Sequence, residues 1–332
     1  MHRALLSGFT AVALGAIGVA VTAAPSHAQS LSKPVTLVVP YAAGGGTDTV
    51  ARLVADKMSA AIGQSVIVEN VTGAGGTIAN ERVARSAPDG TTVLINHVAL
   101  LAAPSLFTSL RYDTATAFEP VGLVNNAPMV LIGKKQIPGA SPKEHLAWIR
   151  EQGVKANFAH GGVGTNSHLC AVMMGNSLGF KPTFVAYRGS GPAITDMLAG
   201  QVDLLWDQLT NALSQIQAGT LHGIAITSKS RLAEIPDVPT TAELGIPDLD
   251  YTMWHGLYVA KGTPRPLVDA LNKGLRAAVS DPAVVAKFKS LGTTAFPADQ
   301  LTPEAHAKAF TSDMPRIAAL VASAGVKPAD AK

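Results

Sequence analysis

Val35-Thr36-Leu37-Val38-Val39-Pro40-Tyr41-Ala42-Ala43-Gly44-Gly45-Gly46-Thr47-Asp48 decides the fold. Its apolar run predicts a buried strand, its glycines a turn, and the spacing of Val50, Leu53, Val54, Met58 and Ile62 a helix. Thr47 or Asp48 suits the N-cap of that helix and Gly63 its stop. Glycines here bare the backbone N–H groups at the positive end of the helix dipole, which suits an anionic group of a small ligand.

The device recurs. Val66-Ile67-Val68-Glu69 runs into Asn70-Val71-Thr72-Gly73-Ala74-Gly75-Gly76-Thr77 and another helix. Asn157-Phe158-Ala159 runs into His160-Gly161-Gly162-Val163-Gly164-Thr165-Asn166-Ser167-His168 and a third. In an open parallel sheet such turns fall at the carboxyl ends of the strands, where ligands bind. Strand and helix alternate through Thr92–Asn96, so the class expected is α/β with parallel pairing.

The N-terminus differs in kind. Met1-His2-Arg3 is basic, Ala4 to Ala24 is almost wholly apolar or small, and Ser26-His27-Ala28 offers a small-x-small cleavage site before Gln29. This predicts a secretory signal peptide over 1–28, cleaved near Ala28, and an exported protein. The 332 residues carry a net charge of +3, from 26 basic and 23 acidic side chains. Both signs are dispersed, which points away from nucleic acid and from a membrane surface. Cys170 is the single cysteine and has no internal disulfide partner. It lies beside Leu169 and Val172 on an apolar helix side, where packing is expected.

Two units emerge along the chain. Val121 to Val124 is read as extended and crossing to a second unit, which opens with a strand at Met129 to Ile132. Ser141, Pro142 and Glu144 form a capping box with proline at the first helical position. After Thr183–Tyr187 the turn Arg188-Gly189-Ser190-Gly191 leads to a helix read as starting at Pro192. Around Ser228 the chain returns, through the proline-stiffened Ile235–Thr240, to a strand over Tyr251 to Val259 and two or three C-terminal helices. Domain 1 is therefore expected at 29–122 plus 229–332, with domain 2 inserted at 123–228.

Motifs for chemistry are weak. G-x-x-x-x-G-K-[ST] does not occur, and neither Gly73-Ala74-Gly75 nor Gly162-Val163-Gly164 completes G-x-G-x-x-G. Arg188-Gly189-Ser190-Gly191 misses the nucleophile elbow. Ser167 and His168 are consecutive on a helix and diverge. The nine histidines lack metal-ligand spacing. Neither cofactor nor metal is expected. Asp207 follows a strand end and falls on the cleft rim, while Asp48 in a first helical turn suits the dipole. Trp206, Tyr41 and Trp254 are candidates to wall the pocket, with core packing favoured for Trp254. A secreted α/β hydrolase using Ser167 or Ser190 with a histidine is the competing reading.

Pro40–Asp48 with Ala51-Arg52, Gly73–Gly76, Ala87-Pro88-Asp89-Gly90-Thr91, Gly164–Leu169, Tyr187-Arg188-Gly189, Asp196, Gly200-Gln201-Val202-Asp203, Pro236–Thr240 and Gly262-Thr263-Pro264 together resemble the Bug or tripartite tricarboxylate transporter receptor family. The resemblance covers essentially the whole mature chain, and the joint order is specific where each motif alone is not. It implies a periplasmic type II solute-binding fold with two α/β domains, a cleft between them, no catalysis, and a small carboxylate as ligand. Carried over, the ligand contacts fall at Tyr41, Ala43, Gly46, Thr47, Ala74, Gly75 and Gly76. Gly164, Thr165, Ser167, His168, Tyr187 and Asp207 contribute from the inserted domain, and Asn96 and His97 from the hinge side. The resemblance also implies large and small membrane subunits as partners, or a sensor, for a receptor expected to be monomeric. Ala42-Ala43, Val71-Thr72 and Ala103 depart from the family's usual pattern. The ligand's distal end is therefore open to a dicarboxylate, hydroxy acid, amino acid or aromatic acid.

Overall fold

The computed structural model describes residues 31–247, 249, 251–323 and 325–328. The expected signal peptide lies outside them. In chain order the elements are β1 (Val35–Val39), α1 (Gly46–Ile62), β2 (Val66–Asn70), α2 (Thr77–Ala84), β3 (Thr92–His97), α3 (Ala103–Leu106) and β4 (Phe118–Lys134). There follow α4 (Pro142–Gln152), β5 (Asn157–His160), α5 (Asn166–Leu178), β6 (Thr183–Ala186), α6 (Ser190–Leu198), β7 (Leu204–Gln208), α7 (Leu209–Gln217) and β8 (Leu221–Ile226). The chain closes with β9 (Thr252–Ala260), α8 (Arg265–Ser280), α9 (Pro282–Ser290), β10 (Thr294–Ala295) and α10 (Pro303–Ser323).

The strands lie in the order β2-β1-β3-β9-β4-β7-β5-β6, with β8 and β10 also on β4. Pairing is not parallel throughout. β1 pairs parallel with β2 and β3, and β5 with β6 and β7, but β9 is antiparallel to β3 and β4, and β4 to β7. β9 returns from the second half of the chain and inserts beside β3, so no local pattern announces its direction. It is also buried along nearly its whole length, because elements cover both of its faces. The extended stretch at Val121–Val124 and the strand at Met129–Ile132 are one 17-residue strand, β4, kinked by register shifts near Gly122, Asn125 and Ile132.

Because β4 runs through both strand groups, it sets where ligand chemistry falls. β1 and β3 run the same way as β4, whereas β5, β6 and β7 run against it. The carboxyl ends of the two groups therefore face each other near the middle of β4. Alternation does the packing. Val35, Leu37 and Val39 meet Val50, Val54 and Met58 of α1 and Leu271 and Leu275 of α8. Val130, Ile132 and Leu205 meet α6 and α7. Val38, Leu94, Trp206 and Trp254 belong to a third cluster that also takes in Phe158 and Ile317. Trp206 and Trp254 are thus core residues and do not wall the site. Cys170 is fully buried, and burial raises its thiol pKa, as packing would have it.

Candidate functional site

Helix α1 begins two residues earlier than the sequence suggests. Its N-cap is Gly45, with no side-chain cap. The acidic and hydroxyl groups expected to cap it are engaged elsewhere. The Asp48 carboxylate accepts from Gly44 N–H (3.0 Å) and from Asn70 Nδ2 (2.9 Å), and pairs with Arg52 at 3.0 Å. Burial works to raise the Asp48 pKa, but the bonds from Arg52, Gly44 and Asn70 outweigh it and hold it below the usual range. The Thr47 hydroxyl is turned to His255 Nε2 (3.0 Å). The first amides of α1, which no helix can bond internally, are left without a side-chain acceptor at the cap.

Three more helices start in the same place. α5, α6 and α7 have Thr165, Gly189 and Gln208 as N-caps, again with no side-chain cap bond. The α6 start at Ser190 lies ahead of the expected Pro192. One cavity is lined by Gly45–Asp48, Thr165–Ser167, Gly189–Ser190 and Asp207–Gln208, so the starts of all four helices reach it. Tyr41, His97, Met129 and Gly161 complete the lining, which contains neither lysine nor arginine. Away from the cavity, α4 and α9 carry side-chain caps from Ser141 and Asp281. α2, α3 and α8 also start without a side-chain cap, but four bare starts meet only at the cavity among the described residues.

Of the residues proposed from sequence, Tyr41, Gly46, Thr47, His97, Thr165, Ser167 and Asp207 line this cavity. Ala74, Gly75, Gly76 and Tyr187 line an adjoining depression of about 220 Å³, separated from it by Tyr41 and Gly161. The second glycine loop is thus a neighbour of the cavity and not part of its wall. Asn96, Gly164 and His168 stand behind the lining. Asn96 Oδ1 accepts from Tyr41 Oη (3.3 Å), and His168 Nδ1 accepts from Gly164 N–H (3.4 Å). Ala43 is exposed, with its carbonyl oxygen turned to Gly191. The Tyr187 hydroxyl donates to Asp196 (2.7 Å). Sequence reasoning missed Gln208, Gly189, Asn166 and Met129. Gly189-Ser190 carried the signal, since it follows the strand Thr183–Ala186 in the same strand–glycine–helix order as the other loops.

The electrostatics are those of a buried, polar site. Burial pushes the Asp207 carboxyl up to about 6, against the pull of Asn211, the Gln208 N–H and Ser190. Burial pushes His255 down to about 3 and His97 well below its ordinary value, so both imidazoles are neutral. His97 stacks on Tyr41 with ring centroids 4.9 Å apart. The cavity encloses only about 30 Å³, because loops of the two strand groups touch across it. Ala42 N–H donates to the Arg188 carbonyl (2.8 Å). At two of these contacts glycine is a steric need. A Cβ on Gly75, at φ +62°, would run into the Val163 carbonyl oxygen, and one on Gly189, at φ +144°, would sit 2.9 Å from the Ala42 nitrogen.

Residues 50–325 match the family described as tripartite tricarboxylate transporter family receptor. The chain belongs to that family.

Among its relatives, a UPF0065 protein of Agrobacterium vitis, from the TAR-I ttuE-ttuC' intergenic region, is 40% identical over 89% of this chain and 85% of its own. The periplasmic binding protein BugD superposes with a TM-score of 0.87 at 40% identity, covering 90% of this chain and 99% of that one. MatC from Rhodopseudomonas palustris with bound malate superposes at 0.84 with 35% identity, covering 87% and 99%. The receptor therefore has the periplasmic-binding-protein fold. Among the described residues no group of three or more His, Cys, Asp or Glu side chains is placed to hold a metal ion. No described helix is long and apolar enough to cross a membrane. The serines of the competing hydrolase reading are held otherwise. Thr165 Oγ1 donates to the Gly162 carbonyl (2.7 Å), which leaves Ser167 Oγ, 2.9 Å away, as donor to Thr165 while it accepts from Gly161 N–H. Ser190 Oγ accepts from Asn211 Nδ2 (3.3 Å).

Proposed function

We propose that the protein is an exported receptor that captures a small carboxylate in this cavity and presents it to a membrane transporter of large and small subunits. The reading rests on one observation: the starts of four helices, none capped by a side chain, line a single cavity without a lysine or arginine. Helix dipoles and bare amides favour negative charge there. Each amide bond to an ionised carboxylate supplies about 1.5–3 kcal/mol. The two lobes, one on β1–β3 and one on β5–β8, open to admit the ligand and close on it. Closure follows because a ligand touching both lobes binds the closed form better. The malate carried by MatC is a ligand of this chemical class. The depression beyond Tyr41, with exposed Arg188 on its rim, is suited to the ligand's second end.

A thermal-shift screen with small mono- and dicarboxylates, aromatic acids included, tests the reading. At least one acid raises the melting temperature of the native protein. Gly46→Val, whose side chain would collide with the Gln208 amide, abolishes the shift. An undiminished shift in that variant counts against the first loop, and hydrolysis of chromogenic esters would favour the hydrolase.

A further inference from the structure

Gln208 lines the cavity and is only 6% exposed, yet its Oε1 is buried with no hydrogen-bond partner. Which end of this amide is bare follows from a chain of bonds that begins at Thr293, just before β10. Thr293 Oγ1 donates to the Asn126 carbonyl (2.7 Å), so toward Asn125 it is an acceptor and takes Nδ2–H (2.7 Å). Asn125 Oδ1 then faces His255 Nδ1 (2.8 Å), which must carry the proton. His255 is fully buried and neutral, so its Nε2 is an acceptor and takes the single hydroxyl proton of Thr47 (3.0 Å). Whatever Gln208 turns to Thr47 Oγ1 must therefore donate, which makes it Nε2 (3.2 Å). The carbonyl oxygen is left against Gly46, at the first residue of α1. Asp207 adds acceptors to the same wall, its carboxylate receiving Gln208 N–H (2.8 Å) and Asn211 Nδ2 (2.6 Å).

Helix amides call for an anion, whereas a bare carbonyl oxygen calls for a donor. We propose that the ligand is a carboxylate with a hydrogen-bond donor beside the carboxyl group, on the hydroxy-acid or amino-acid pattern, and that Gln208 Oε1 selects for it. This rests on the carboxylate reading above and narrows it. An acid with a plain C–H at that position leaves a buried acceptor unpaired, which weakens binding about ten- to a hundredfold.

Succinate, malate and aspartate share one four-carbon dicarboxylate skeleton and differ only in carrying hydrogen, hydroxyl or ammonium at one carbon. Isothermal titration calorimetry at pH 7 should show malate or aspartate binding at least about tenfold more tightly than succinate. The arm that wins tells hydroxyl from ammonium. Gln208→Met should bring the acids to within about twofold by weakening the substituted one, since the thioether offers neither amide group. Succinate binding as tightly as both others overturns the inference while leaving carboxylate capture intact. Discrimination that survives in Gln208→Met overturns the role of Gln208. Binding of none of the three, with an acid lacking such a donor binding in the wider screen, overturns the inference and leaves carboxylate capture standing. The series on the unmodified protein decides the ligand class even where the variant fails to fold.

Discussion

Asp207 faces the cavity with a carboxyl that burial pushes up to about 6. Ionised, it repels an incoming anion; protonated, it becomes a donor. Affinity for a dicarboxylate without an amine is therefore expected to rise as pH falls from about 7.5 to 5.5. Asp207→Asn should flatten that dependence, both read by calorimetry across pH. The other titratable groups on the lining do not change over this range: His97 stays neutral, and Asp48 is held ionised by Arg52, Gly44 and Asn70. Asp207 was legible in the sequence because a residue after a predicted strand lands on the rim. Gln208 was not, because the lone pair left bare depends on a hydrogen-bond chain through Thr47, His255, Asn125 and Thr293, which are far apart in sequence.

Among the elements, helix starts divide by whether they are capped. α4 opens away from the cavity with the Ser141–Glu144 capping box visible in its sequence. Ser141→Ala should cost about 1 kcal/mol of stability in denaturant unfolding and leave ligand affinity unchanged. The starts facing the cavity lack such caps, and their glycines also let the loops meet. Gly75→Ala adds a Cβ aimed at the Val163 carbonyl at a left-handed φ. It should weaken ligand binding about tenfold or more, and in small-angle scattering should keep the radius of gyration at its ligand-free value when ligand is added. Compaction equal to that of the native protein would contradict the closure contact. The strand–glycine–helix order made β1, β5 and their loops readable. The insertion of β9 between β3 and β4 was not readable, because strand neighbours far apart in sequence leave no local period. The α6 start at Ser190 was obscured by Pro192, a usual first helical residue that here is the third residue of the helix.

For the molecule as a whole, buried neutral histidines set the acid limit of stability. His168, His255 and His306 are pushed down to about 3 by burial, with His160 adding to the effect on His168, and His97 is pushed well below its ordinary value. Both ring nitrogens of His306 lack a partner. Their folded pKa values lie below the unfolded ones, so the unfolded chain binds more protons between about 6.5 and 3. The stability these neutral histidines confer is full above about pH 6.5 and falls as pH drops through that window, which thermal unfolding in a pH series should register. His306→Phe should shallow the slope. At this scale the two-lobed plan was legible from alternation and from the resemblance. The facing of carboxyl ends was not, because it follows from β4 running through both strand groups. The most direct test of carboxylate capture is a crystal structure of the protein with a dicarboxylate that raises its melting temperature. The account predicts a carboxylate within hydrogen-bond distance of main-chain amides at Gly46–Asp48 and at the starts of α5 or α6, with no cationic side chain touching it. A dicarboxylate with neither carboxylate on those amides, held only by the Arg188 guanidinium or wholly outside the cavity, would contradict it.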